Sequence, residues 1–218
     1  MWIDYYEMHN NICSNVDVLM NHTTSHKIIR KKTDAKLGMQ EVAIFKRINE
    51  INSNAYPRMI DYDATGSHVM LYLTLIEGKT LHQMLEAGEI HHGGERIVKG
   101  AIDALVTLHN AGIIHRDIKP ENLMVDEQGK VFILDFSSAV IKGSPNAQMN
   151  NQGTWGYIAP EILFSKTVAN EKTDYFALGM SLKGLYRKRI QELSVIAIDQ
   201  IEMLACIQPQ NRKINESL

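Results

Sequence analysis

The chain has 218 residues, 44% hydrophobic and 22% charged, an ordinary globular composition with room for one domain or two small lobes. Its formal net charge of −2 argues against nucleic acid or an anionic membrane as the main partner. The longest apolar run, Val69–Ile76, is too short to span a bilayer, MWIDYYEMHNN does not read as a signal peptide, and Cys13 and Cys206, far apart in sequence, read as reduced thiols of a cytoplasmic protein.

Residues 1–32 are expected to form the opening strands. Val16–Met20 alternates as a strand does, and Lys27–Lys32 follows after the polar turn His22–His26. Thr33 and Asp34 offer a helix cap, and the pattern predicts a helix to about Glu50. Val42, Phe45 and Ile48 fall on one stripe of that helix, with Glu41 beside it. Met59–Asp63 and His68–Leu75 flank Ala64–Ser67 as a hairpin. Thr80–Ala87 reads as a short capped helix. Glu95–Ala111 reads as a longer one, with Val98, Ile102, Leu105 and Leu108 on one face and Gly112 as its stop. His91, His92 and His109 have no Cys or carboxylate partners at metal-ligand spacing and read as solvated loop or helix-end residues.

Residues 113–136 read IIHRDIKPENLMVDEQGKVFILDF. Ile113–Ile114, Leu123–Val125 and Val131–Leu134 are predicted strands, and Asp126–Gly129 is a tight turn between the last two. Asp117, Lys119 and Asn122 then lie on a loop and Asp135 just past a strand end, so the hairpin gathers them at one rim. Asp117 can accept a proton from a hydroxyl, and Lys119 can neutralise a phosphoryl group in transit. Asn122 and Asp135 supply oxygens suited to a hard cation. Phosphoryl transfer needs positioning and charge neutralisation more than covalent chemistry, and these are its parts.

The string His115-Arg116-Asp117, with Asn122 after it, then Asp135-Phe136 and Ala159-Pro160-Glu161, resembles the catalytic core of eukaryotic-type protein kinases; HRDIKPEN resembles the serine/threonine branch. The resemblance covers about residues 10–213. It implies a single domain of α+β, bilobal fold: a small, mainly β lobe over about 1–75 with one helix, a hinge at about 74–78, and a larger, mainly α lobe over about 79–218. It implies ATP with magnesium or manganese, and a protein substrate. Asp117 and Lys119 would be catalytic, and Asn122 and Asp135 would hold the metal. Lys31 would hold the nucleotide phosphates with Glu41 as its partner. Strand alternation puts Lys31 on the face of Ile29, whereas Lys32 would put Arg30 against the base. The backbone at Thr74 and Ile76 would meet the adenine edge, with Leu73 behind it and Met124 as the floor. His115 would be a packed structural residue, and Arg116 would meet a charged group in the activation segment. Thr154 would bond near Asp117 and Lys119, Asp174 would cap amides near His115, and Glu161 would pair with Arg212.

Three departures stand out. No glycine precedes Gly38, so the usual glycine-rich phosphate loop is missing. Either Asn10–Asn15 replaces it, since Asn tolerates left-handed backbone, or there is no lid. Ser137 stands where the family has glycine, which restricts the segment after Asp135-Phe136. Within that segment Ser144 is the best phosphorylation candidate, but Met149-Asn150-Asn151 occupies the region where a regulatory Thr is often found. The stretch between Gly179 and Arg212 is also short, which implies that one helix of the family is missing or reduced, and no further domain is expected after Arg212. The reading is an ATP-dependent serine/threonine protein kinase. A pseudokinase acting as a binding module is the alternative. A small-molecule kinase of the antibiotic-phosphorylating kind shares the fold, but usually has glycine at the position of Arg116 and lacks KPEN.

Overall fold

The computed structural model describes residues 2–88, 93–144, 153–165, 167–187 and 193–215. The chain divides into two compact units, one of Met1–Asn52 and Tyr56–Glu77, the other of Ser53–Ala55 and Gly78–Leu218.

The smaller unit is an antiparallel sheet with one helix. Its strands are β1 (Tyr6–Cys13), β2 (Val16–Asn21), β3 (Lys27–Asp34), β4 (Met59–Thr65) and β5 (His68–Thr74), in the order β1-β2-β3-β5-β4. Helix α1 (Ala35–Glu50) follows β3 directly, its N-terminal amides capped by the Asp34 carboxylate. Gly38 makes the packing possible, because a Cβ there would meet Thr33 Cγ2 and Val69 Cβ at 2.5 Å. The face of β3 that carries Ile29, Lys31 and Thr33 therefore lies under the helix, and Val42, Phe45 and Ile48 are buried there. The opposite face buries Leu19, Ile28 and Tyr72 beneath Trp2, Ile3 and Tyr6.

That covering segment departs from expectation. The chain opens with a 3-10 turn, Trp2–Tyr5, not with a strand. The Trp2 indole donates to Asp61 Oδ2 at 2.8 Å and packs edge-on against Tyr6 and Tyr72. The expected loop at residues 10–15 is also mostly strand: β1 runs to Cys13, and only Ser14 and Asn15 form the turn.

The larger unit is mainly helical. Helix α2 (Leu81–Ala87) begins at a reciprocal Thr80–Gln83 capping box and stops at Gly88 in the left-handed region. Helix α3 (Gly94–Asn110) buries Val98, Ile102, Leu105 and Leu108, as the pattern predicts. Short strands β6 (Lys79–Thr80), β8 (Leu123–Val125) and β9 (Val131–Ile133) form one small sheet, and β7 (Ile113–Ile114) pairs with β10 (Val140–Ile141). Helices α4 (Pro160–Ser165), α5 (Glu171–Arg187) and α6 (Val195–Leu204) follow, the last capped by Ser194. Gly179 lets α5 and the end of α6 touch: a Cβ there would lie 2.4 Å from the Ala205 nitrogen. His91, His92 and Met149–Asn151 lie outside the described residues. Neither Cys13 nor Cys206 forms a disulfide, and no described helix is long and apolar enough to cross a membrane.

Candidate active site

The loop from His115 to Asn122 joins β7 to β8 and is held from behind by one buried carboxylate. Asp174, in the first turn of α5, is 1% exposed. Its Oδ2 accepts the His115 N–H and its Oδ1 the Arg116 N–H, both at 2.8 Å. Arg116 has φ of +68°, uncommon for a residue with a Cβ, and the bond to Asp174 holds it there. Burial pushes the Asp174 carboxyl up, but the hydrogen bond of His109 and the backbone amide of His115 outweigh this and hold it below its ordinary value.

His109 therefore differs from its expected solvated state. It is buried, and its Nε2 lies 2.9 Å from Asp174 Oδ2, while its Nδ1 has no hydrogen-bond partner. A carboxylate only accepts, so Nε2 carries the proton. His115 is packed, as expected: its ring meets Phe136 edge-on at 5.1 Å. Its Nε2 donates to the Leu134 carbonyl at 2.9 Å, which leaves Nδ1 to accept the Asp117 N–H at 3.3 Å.

The rim of the loop gathers four side chains. Asp117 Oδ1 accepts the Thr154 hydroxyl at 2.8 Å, and Asp117 Oδ2 lies 3.0 Å from Lys119 Nζ. Lys119 Nζ also donates to Thr154 Oγ1 at 2.9 Å. Asn122 Nδ2 donates to the Asp117 carbonyl at 2.8 Å and to Asp117 Oδ2 at 3.3 Å. The β8–β9 hairpin places Asp135 nearby in the chain path, because the Leu134 N–H bonds the Asn122 carbonyl at 2.8 Å. The strand ends at Ile133 rather than Leu134. Asp135 is exposed, with φ of +55°, and its Oδ1 accepts the Ser137 N–H at 3.3 Å. Among the described residues Ser137 is not one of those with positive φ, so the absent glycine is not needed in this conformation.

The activation segment is tied at both described ends. Arg116 Nε donates to the Ser138 carbonyl at 2.6 Å. Lys142 pairs with Glu171 at 2.5 Å, a contact with no sequence signal. The Glu161 carboxylate receives both terminal nitrogens of Arg212, at 2.5 and 2.9 Å, and Arg212 is fully buried over the Phe176 ring.

In the smaller unit Lys31 Nζ lies 2.7 Å from Glu41 Oε1, with side chains 12% and 2% exposed. Lys32 is exposed on the other face. Thr74 ends β5 with its N–H given to the Arg58 carbonyl at 2.9 Å, so only its carbonyl remains for a ligand. Leu73 is buried and Ile76 half-buried in the irregular stretch after β5. In the larger unit Met124 is half-buried on β8, opposite Thr80.

The donor set fits a hard cation. Because the Asn122 amide nitrogen is spent on Asp117, its oxygen is the atom that can face an ion, and Asp135 adds a carboxylate. Among the described residues no three His, Cys, Asp or Glu side chains gather into a metal site. Two oxygen donors suit an ion such as magnesium, which takes its other ligands from phosphate and water.

The protein kinase domain family matches residues 12–215. Sperm motility kinase 2B of Mus musculus is 35% identical over 179 residues, covering 78% of this chain and 36% of the relative. Rhodopsin kinase grk7-b of Danio rerio is 30% identical over 168 residues, covering 75% and 30%. Serine/threonine-protein kinase PknL of Mycobacterium tuberculosis is 30% identical over 139 residues, covering 62% and 35%. The chain spans about a third of the length of these curated relatives. With the match running over nearly all of its residues, and with the Asp117, Lys119, Asn122 and Asp135 set on an α+β framework, the chain belongs to the protein kinase family.

Proposed function

We propose that this chain is an ATP-dependent serine/threonine protein kinase that transfers the γ-phosphoryl group of ATP to a protein hydroxyl. The observation that carries the reading is the closed group of Asp117, Lys119 and Thr154. Asp117 accepts from three donors, the Thr154 hydroxyl, Lys119 Nζ and Asn122 Nδ2, and is placed to orient and deprotonate an acceptor hydroxyl. Lys119 stands beside it to stabilise charge on the phosphoryl oxygens. Lys31, fixed by Glu41, would hold the nucleotide phosphates. The Thr74 carbonyl and the Ile76 backbone would meet the adenine edge, and Met124 its face. Asn122 and Asp135 would hold magnesium or manganese, which when bound supplies neutralising charge at the phosphates. The free thiols and the composition fit a cytoplasmic location.

The second reading, a binding module without useful turnover, draws on the hairpin that lacks glycine. Transfer of radiolabel from ATP to a mixed protein acceptor separates the two. The expected result is label with the wild type and at least a hundredfold less with Asp117→Ala, on the order of the loss of a general base. Equal label from both proteins overturns the enzyme reading.

A further inference from the structure

The β1–β2 hairpin closes in an unusual way. A two-residue hairpin ordinarily uses a turn with positive φ, because that backbone matches the twist of the strands; other turns splay them. Neither Ser14 nor Asn15 has positive φ. The β1–β2 register also shifts twice on the approach to the turn, between Met8 and Asn10 and between Asn11 and Cys13. Backbone geometry alone does not explain why the tip stays closed.

Side chains do the closing. Asn11 Nδ2 donates to the Cys13 carbonyl and to Asp17 Oδ1, each at 2.8 Å. Cys13 Sγ donates to Asn15 Oδ1 at 3.2 Å. Asn15 then reaches β3 with two groups. Its carbonyl accepts the Lys32 N–H at 2.8 Å, and its Nδ2 donates to the Lys32 carbonyl at 3.3 Å. Both backbone polar groups of Lys32 are thus taken by one residue at the hairpin tip. The β2–β3 ladder runs from Met20 and Lys27 to Val16 and Lys31, so Asn15 extends it by one step, past the residue whose Nζ meets Glu41.

We infer that Asn15 is a positioning residue for nucleotide binding: it fastens the hairpin tip to the β3 backbone at Lys32, so the tip is a fixed wall beside Lys31 and not a swinging lid. The inference rests on the kinase reading above. A tip held by Asn15 acts on how the nucleotide is held, not on proton removal at Asp117. Loosening it therefore raises KM for ATP and spares kcat at saturating ATP and KM for the acceptor.

The test uses the full chain with Asn15→Ala and Asn15→Asp. Both remove the donor to the Lys32 carbonyl, and the Asp variant keeps the acceptor for Cys13. Both also keep the Asn15 carbonyl that accepts the Lys32 N–H, so amide hydrogen exchange at Lys32 in nucleotide-free protein reads how often the tip opens once the side-chain half of the tether is gone. Both variants are expected to exchange there about 3- to 10-fold faster, the range set by one ordinary hydrogen bond, with KM for magnesium-ATP raised by a similar factor. Unchanged exchange overturns the Asn15 side chain as the fastening and the positioning role with it. Faster exchange with unchanged KM overturns the positioning role and leaves a purely structural bond. A wild type that neither binds nor turns over ATP overturns the kinase reading and the inference with it, a result distinct from the other two.

Discussion

The Thr154 hydroxyl donates to Asp117 Oδ1 across 2.8 Å. A hydroxyl has one proton, so its contact with Lys119 Nζ at 2.9 Å runs the other way, with Thr154 accepting. Thr154 thereby links the downstream end of the activation segment to both groups proposed to act in transfer. Thr154→Val keeps the shape and removes both bonds, and Lys119 is then drawn onto Asp117 alone. Hydrogen bonds to charged groups contribute about 1.5–3 kcal/mol, so kcat for peptide phosphorylation is expected to fall about 10- to 100-fold. Thr154→Ser is expected to stay within about threefold of the wild type, since the hydroxyl is kept. Steady-state kinetics with one peptide settles it, and a Val variant as fast as Ser would show the bonds to be incidental.

Much of this rim was legible because its geometry is local. The turn residues at 126–129 force β8 against β9, and that hairpin carries Asn122 and Asp135. Strand alternation assigns Lys31 and Lys32 to opposite faces of β3, and Lys31 is on the face that meets Glu41. What could not be read lies in contacts between distant segments or in strands without contrast. His109 looks like a helix-end histidine until α5 brings Asp174 against it, 65 residues away. Trp2 reaches Asp61 across 59 residues, with no periodic pattern to announce it. Strand β1 carries no strand signal beyond residue 10, because it is an edge strand exposed along nearly its whole length and no buried–exposed alternation marks it.

The Lys31–Glu41 pair makes a prediction with two readouts. Glu41 is 2% exposed, so removing Lys31 takes the cationic partner from a buried carboxylate, and breaking such a pair costs up to about 3–5 kcal/mol. Lys31→Ala is therefore expected to lower unfolding stability in urea by that order, and also to weaken ATP binding. Glu41→Gln keeps the volume and leaves the lysine in a site it can still solvate. It is expected to cost less stability but to raise KM for ATP, because the ammonium loses the carboxylate 2.7 Å away that helps to place it. A Glu41→Gln protein with wild-type KM would detach the pair from nucleotide binding.

Among the described residues Arg212 is the largest fully buried side chain, and its donors reach the Glu161 carboxylate and the carbonyls of Lys172, Cys206 and Ile207. Lysine cannot satisfy that fork, because its ammonium is a point charge without the planar donor array. Arg212→Lys is expected to destabilise the fold by about 3 kcal/mol or more, measured as a shift in the denaturant midpoint. Arg212→Met combined with Glu161→Gln removes both charges together and is expected to cost less than the sum of the single changes. Strict additivity would mean that the two side chains are not coupled.

Asp174 predicts an acid limb with a definite sign. Its carboxyl is buried, which pushes it up, but the hydrogen bond of His109 and the backbone amide of His115 hold it below the ordinary carboxylate value in the fold. A group depressed on folding contributes stability that is fully present above its unfolded value, about pH 4, and is lost as pH falls through the lower folded value. The loss from this group is thus confined to below about pH 4. Asp174→Asn keeps the shape but has no proton to gain. Its amide retains only one oxygen to accept the His115 and Arg116 N–H groups and the His109 proton. The variant is expected to be less stable than wild type at neutral pH, and the gap is expected to narrow as both are acidified below about pH 4, followed by thermal melts. Activity should fall with it at neutral pH, because Arg116 loses the bond that holds its positive φ. A constant gap between the two proteins from neutral to acid pH would mean that Asp174 is not the carboxylate whose protonation releases the loop.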